Sequence, residues 1–229
     1  MTNIYILYTG GGETVFPSID PLPERIENTK NEQLRRQRAA AHLLLIYAYR
    51  DFAGKTLPEI VYDTYGRPSF NEADADFNIS HDRDMIALII SDSQRVGIDV
   101  QALDTRVSDR LAESIAEITQ KEDFLSARAR TAPISDKTVL LSVSQNGDII
   151  EDTSLFILND SEKEALCKKE ADIISDWTLL EALVKADGRG IGQIKAAGEL
   201  ISSAKTKELF ISAGGCVYSL SAVEKMPKP

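Results

Sequence analysis

Two carboxylates stand where apolar sequence normally excludes them. Asp99 interrupts Val96-Gly97-Ile98-Asp99-Val100-Gln101, and Glu181 sits inside Trp177-Thr178-Leu179-Leu180-Glu181-Ala182-Leu183-Val184-Lys185. Burying an unpaired charge is costly, so acidic residues set into an apolar strand and an apolar helix point to groups that meet a cation. Mg²⁺ takes one or two protein carboxylates and completes its shell with phosphate oxygens and water, so Asp99, Glu181 and Lys185 around one cleft suit a magnesium ion holding a diphosphate. The bland alternative for Glu181 and Lys185 is an i,i+4 surface pair contributing about 0.2–0.5 kcal/mol. Asp99 tips the balance toward a site. His81 alone would be a hydrogen-bonded structural histidine, but directly after Ser80 it is a candidate phosphate donor.

The elements around these residues follow from periodicity. Ile4 to Tyr8 is a strand that runs into Thr9-Gly10-Gly11-Gly12. No Gly-Lys-Ser/Thr follows, and Pro17 interrupts any immediate helix, so this is not a phosphate loop. From Glu24 to Arg50 the apolar residues recur at helical spacing, as one long helix or two consecutive ones. Tyr65-Gly66-Arg67-Pro68 is a turn that holds Arg67 out of the preceding helix. Met85 to Ile90 and Val96 to Val100, around a polar turn, predict an antiparallel hairpin. On its second strand the period of two places Gly97, Asp99 and Gln101 on one face. A helix is expected from Ser108 to Arg128, a second hairpin at Asn146-Gly147 and a third at Gly214-Gly215. Ser161 and Glu164 fit a capping box, and a further helix begins near Asp176, with Thr178, Glu181 and Lys185 lining one face and Gly188 as its C-terminal cap. Met226 to Pro229 reads as a frayed tail.

Helices separated by hairpins favour an α+β fold with two pseudo-symmetric halves, 1–105 and 106–229, each with helices packed on a small antiparallel sheet. A ligand cleft between the halves follows, and two fused halves favour a monomer.

Composition narrows the partners. The 229 residues carry a net charge of −10, with 43% hydrophobic and 27% charged residues. Such an acidic chain is unsuited to a broad nucleic-acid surface, although Lys30, Arg35, Arg36 and Arg38 could hold a few phosphates. By composition alone that cluster is more often a solvated helix face. No apolar stretch is long enough to span a membrane and the N-terminus has no leader pattern, which predicts a cytoplasmic protein. The two cysteines, Cys167 and Cys216, fit neither a disulfide framework nor a thiolate metal site.

Gly66-Arg67-Pro68, Phe77-Asn78-Ile79-Ser80-His81, Val96-Gly97-Ile98-Asp99 and Trp177-Thr178-x-x-Glu181-Ala182-x-x-Lys185-x-x-Gly188-x-Gly190 occur in order. Together they resemble the signature of the surfactin-type 4'-phosphopantetheinyl transferases. The resemblance implies that coenzyme A lies between two halves and that its phosphopantetheine arm moves to a serine of an apo acyl or peptidyl carrier protein, leaving adenosine 3',5'-bisphosphate. It implies that Asp99 and Glu181 hold Mg²⁺ on the diphosphate, that Lys185 contacts its oxygens and that Glu181 helps deprotonate the serine, directly or through water. Ser80 and His81 would bind phosphate, Arg67 would stand where the family usually has a lysine, and Lys30 with Arg35 or Arg38 would lie near the 3'-phosphate. This chemistry requires positioning and charge neutralisation with no covalent nucleophile, in keeping with the lack of any Ser-His-Asp or Cys-His arrangement.

Three positions depart from the family pattern. Gln101 stands where many relatives place a third acid, so its amide oxygen or water would complete the metal shell. Leu180 replaces a lysine, and the stretch between Asp99 and Glu181 is longer than usual, which implies an inserted segment at about 107–155, around the Asn146-Gly147 hairpin, in a region that helps form the family's carrier-binding surface. Gln101 and Leu180 motivate an alternative: a catalytically weak homologue that binds coenzyme A or a carrier protein.

Overall fold

The computed structural model describes residues 1–10, 23–71, 74–134, 136–144, 146–166, 168–189, 194 and 197–225. Gly11, Gly12, Pro17, Gln145, Cys167, Gly190 and the tail from Met226 to Pro229 lie outside the described residues. In chain order the first elements are β1 (Thr2–Tyr8), α1 (Glu24–Glu27), α2 (Glu32–Ala53), β2 (Ile60–Tyr62), β3 (Pro68–Phe70), β4 (Asp76–Asp82), β5 (Met85–Ser91) and β6 (Arg95–Ala102). Then come α3 (Asp109–Thr119), α4 (Glu122–Arg130), β7 (Ala132–Pro133), β8 (Asp136–Val143), β9 (Ile149–Glu151) and β10 (Phe156–Ile157). The chain closes with α5 (Asp160–Glu164), α6 (Lys168–Asp187), α7 (Ala197–Ile201), β11 (Ala204–Ala213) and β12 (Cys216–Lys225).

The fold is α+β. One sheet runs β4-β5-β1-β8-β9 and the other β10-β11-β12-β6, with β7 beside β11 and β2–β3 as a separate ribbon. Each sheet draws strands from before and after Thr105, since β8 lies parallel to β1 and β6 pairs antiparallel with β12. Alternation along the strands sorts the core into layers. Tyr5, Leu88 and Ile90 pack on Leu44, Leu45 and Ala48 of α2. The opposite face of the same sheet sets Ile4, Ile6, Ala87 and Ile89 against Ile98, Val100, Ile211 and Leu220 of the second sheet. Beyond that sheet, Leu179, Leu180 and Leu183 of α6 pack with residues of α3, α4 and α7. No helix among the described residues is long and apolar enough to cross a membrane.

Several local expectations change. The expected hairpin between Met85–Ile90 and Val96–Val100 does not form: β5 pairs with β4 and β1, and β6 crosses to the other sheet. Every residue of β5 is buried. Full burial of a large aliphatic side chain is worth about 1.5–3 kcal/mol, so a strand apolar from Met85 to Ile90 takes an interior place in a sheet covered on both faces. The hairpin that does form, β4–β5, turns at Arg83 and Asp84, with Arg83 at a φ of 50° and its carbonyl accepting from Gln37 Nε2. It was hidden because neither turn residue is Gly or Asn. The region 24–50 is two helices and the region 108–128 is also two, the second pair led by Ser108 as N-cap. The capping box belongs to Asn159 and Glu162, not Ser161 and Glu164, and α6 starts at Lys168, earlier than Asp176. The hairpins at Gly147 and at Gly214-Gly215 form as expected.

Candidate active site

The edge strands of the two sheets, β4 and β6, are joined by side chains. Asn78, Ser80 and Asp82 stand opposite Ile89, Ala87 and Met85 of the inter-sheet core, so this row of β4 faces the second sheet. A buried strand edge must find partners for its N–H groups. Asp76 Oδ2 accepts from Val96 N at 2.9 Å, Asn78 Oδ1 from Ile98 N at 2.9 Å and Asp82 Oδ2 from Ala102 N at 2.7 Å. Ser80, in the same row, donates instead to Asp99 Oδ1 at 2.7 Å.

On its other side β6 receives α6. A Cβ at Gly97 would collide with the Ala182 carbonyl oxygen and the Ala186 amide, so glycine is what lets the helix backbone touch the strand. Thr178, fully buried, shares hydrogen bonds with Ser219 at 3.2 Å and Ser221 at 3.0 Å and ties the same helix to β12. Asp99, two residues after Gly97 and on the same face, therefore meets Glu181 and Lys185. Lys185 Nζ lies 2.6 Å from Asp99 Oδ1, 3.2 Å from Ser80 Oγ, 3.3 Å from the Ile98 carbonyl and 3.6 Å from Glu181 Oε2. Asp99 is 3% exposed, and its Oδ2 is a buried polar atom with no hydrogen-bond partner. Burial and the neighbouring Asp99 charge push the Glu181 carboxyl up to about 7, against the pull of Lys185.

A group that lifts one carboxyl and leaves another carboxylate oxygen bare is short of positive charge. A divalent cation supplies that charge, so the residues fit Mg²⁺. Among the described residues no set of three or more His, Cys, Asp or Glu forms a metal cage. Two carboxylates are nevertheless a sufficient protein share for an ion whose remaining ligands are phosphate and water.

Two adjoining cavities flank this cluster. The smaller, about 230 Å³, is lined by Tyr65, Arg67, Glu181 and Lys185. The larger, about 560 Å³, collects Arg25, Arg38, His42 and His81 over an apolar floor that includes Phe77 and Ile79. Gly66 and Pro68 line both. Burial, with the Lys185 and Arg38 charges, holds the His81 imidazole below its ordinary range, and burial alone lowers His42. Arg25 stacks over the Tyr62 ring at 4.4 Å, at the edge of the larger cavity.

No family model matches the sequence. The 4'-phosphopantetheinyl transferase AcpT of Escherichia coli is 36% identical over 110 residues, 47% of this chain and 54% of that protein. The AcpT of Salmonella typhimurium is 36% identical over 74 residues, 31% of this chain and 38% of that one. Over these stretches the chain is similar to 4'-phosphopantetheinyl transferases. It spans about half the length of the Escherichia coli relatives it matches.

Within this fold, the expected site residues separate into two groups. Asp99, Glu181, Lys185 and Ser80 converge on one point. His81, next along β4, faces the opposite way into the larger cavity, where Arg38 joins it while donating to Thr29 Oγ1 at 2.9 Å. Arg35 does not line that cavity and instead pairs with Glu32 at 2.6 Å on the exposed side of α2; Lys30 is exposed between α1 and α2. Gln101 turns its amide nitrogen to Asp82 and Thr105, both at 3.0 Å. Arg67 is buried and donates inward to Asp76, to Lys185 O and to the carbonyls of Phe77 and Val96. Sequence reasoning missed Arg25, His42 and Tyr62, which carry no motif. It also passed over Asp76, Asn78 and Asp82, whose alternation with Ser80 along one strand was a readable signal.

Proposed function

We propose that this protein is a Mg²⁺-dependent transferase that moves the 4'-phosphopantetheine arm of coenzyme A to a serine hydroxyl of an apo acyl or peptidyl carrier protein, releasing adenosine 3',5'-bisphosphate. The observation that carries the reading is the unpartnered Asp99 Oδ2, buried beside Lys185 and Glu181, which line the smaller cavity. The Escherichia coli and Salmonella typhimurium relatives are named 4'-phosphopantetheinyl transferases.

Coenzyme A carries a central diphosphate and a 3'-phosphate on its ribose, two charged groups that the two adjoining cavities would receive. Arg38 and His81 would bind phosphate in the larger one. Lys185 would bind diphosphate oxygens beside Asp99 and Glu181, which would hold the metal ion. When bound, Mg²⁺ neutralises charge on the diphosphate as the leaving oxygen departs. The serine oxygen bonds to the phosphorus that bears pantetheine, and the bond from that phosphorus to the bridging oxygen breaks. Glu181 would take the serine proton, directly or through water. The protein chiefly positions the reactants, which is what phosphoryl chemistry asks of it. The segment 107–155 would contribute to carrier choice.

The test is incubation with coenzyme A, Mg²⁺ and a panel of apo carrier proteins, read by intact mass. A gain of one phosphopantetheine on a carrier supports transfer. If coenzyme A binds and no carrier in the panel gains mass, the weak, binding-only homologue is the better reading.

A further inference from the structure

The last turn of α6 carries Lys185, and its carbonyl groups have no partners within the helix. The protein supplies them. Gly188 N donates to Val184 O at 2.9 Å, Arg95 NH1 to Asp187 O at 3.4 Å and Arg67 NH1 to Lys185 O at 2.6 Å. Cations at a helix C-terminus also oppose its negative dipole end. Arg67 reaches this point from the seam: its NH2 lies 2.5 Å from Asp76 Oδ2 and 3.0 Å from Val96 O. Asp76 Oδ2 in turn accepts from Val96 N. One guanidinium thus links β4, β6 and the turn of α6 that holds Lys185, at 9% exposure.

We propose that Arg67 is a positioning residue. It clasps the Lys185 carbonyl to the Asp76-anchored seam, and so sets Lys185 and, one turn earlier, Glu181 in register with Asp99. The effect on turnover rests on the transferase reading above; the clasp itself does not. A lysine at this position would keep the charge but lose the planar fork that spans Asp76 and the two strand and helix carbonyls.

The experiment compares wild type, Arg67→Lys, Asp76→Asn and the double variant by steady-state transfer with coenzyme A and with 3'-dephospho-coenzyme A, and by amide hydrogen exchange. Each single variant should lower kcat about tenfold while KM for coenzyme A stays within about twofold, because a displaced Lys185 is missed in the transition state more than in the ground state. The double variant should be no worse than the poorer single one, as expected for two members of one contact. Preference for the 3'-phosphate should be unchanged, and the amides of residues 185–188 should exchange faster in both single variants. A large rise in KM with loss of that preference would make Arg67 a coenzyme ligand and overturn the proposal. Additive effects, or unchanged exchange in the last turn of α6, would also overturn it. If wild type transfers nothing, the transferase reading fails, and exchange at residues 185–188 still decides the clasp.

Discussion

The two faces of β4 do opposite work. Toward the second sheet it presents Asp76, Asn78, Ser80 and Asp82, and every one of them is engaged: three satisfy amides of β6 and one holds Asp99. Toward α2 it presents Phe77, Ile79 and His81, which line the larger cavity. The first face is a hydrogen-bonded joint; the second lines an open cavity. Setting Ser80 and His81 side by side in sequence puts a carboxylate-holding hydroxyl and a cavity-lining imidazole on opposite sides of one strand. Under the proposed function, the joint would fix the reacting end of the site, while a different set of residues would hold the coenzyme's 3'-phosphate.

Breaking the reacting end should have the largest effect. Asp99→Ala and Glu181→Ala are each expected to cut transfer at least about a hundredfold, since each removes a carboxylate where charge develops in the transition state. A rate assay at saturating coenzyme A checks this, and near-normal turnover of either variant would remove it from the site.

Next comes the joint. Asn78→Ala leaves the buried Ile98 amide without an acceptor, a loss of about 1–3 kcal/mol. A fall in melting temperature of several degrees is expected, together with reduced turnover. A melting temperature equal to wild type would mean the side-chain row does not hold the sheets together.

The open wall should behave differently. Arg38→Ala should weaken coenzyme A binding about tenfold with kcat little changed, as for an interaction made equally in ground and transition states. Arg35→Ala is the control, because an exposed i,i+3 pair is worth only a few tenths of a kcal/mol. Calorimetry showing equal losses for the two arginines would contradict the assignment of Arg38 to the cavity.

The reacting end also predicts a pH signature. Folding raises the Glu181 carboxyl from 4.5 to about 7, so between those values the folded state binds more protons than the unfolded chain. Stability should fall as pH rises through that window, because the unfolded state is the one that releases the proton first. Denaturant melts without Mg²⁺ should show this slope in wild type and lose it in Glu181→Gln. An identical slope in both would place the titration elsewhere.

The smallest effect is expected at Gln101. Glutamate there would exchange an amide donor for a carboxylate facing Asp82, so Gln101→Glu should lower the melting temperature slightly and leave the half-saturating Mg²⁺ concentration unchanged. A clearly lower Mg²⁺ requirement would bring position 101 back to the metal.

The sequence by itself determined the α+β class, the hairpins at Gly147 and at Gly214-Gly215 and the membership of Asp99, Glu181 and Lys185 in one site, because each is a local signal: a period of two, a glycine turn, a charge inside an apolar run. Gly97 was legible as part of a motif, although its reason, the contact of α6 with β6, was not. Only the tertiary structure decided that β6 leaves β5 for the other sheet, since an all-apolar strand pairs equally well with several neighbours and burial on both faces selects among them. It also decided which basic residues matter. Arg35, Arg38 and Arg67 are alike as sequence, but solvent surrounds the first, a cavity the second and backbone carbonyls the third. A cation's role is set by what surrounds its charge, and those surroundings are assembled from elements far apart along the chain.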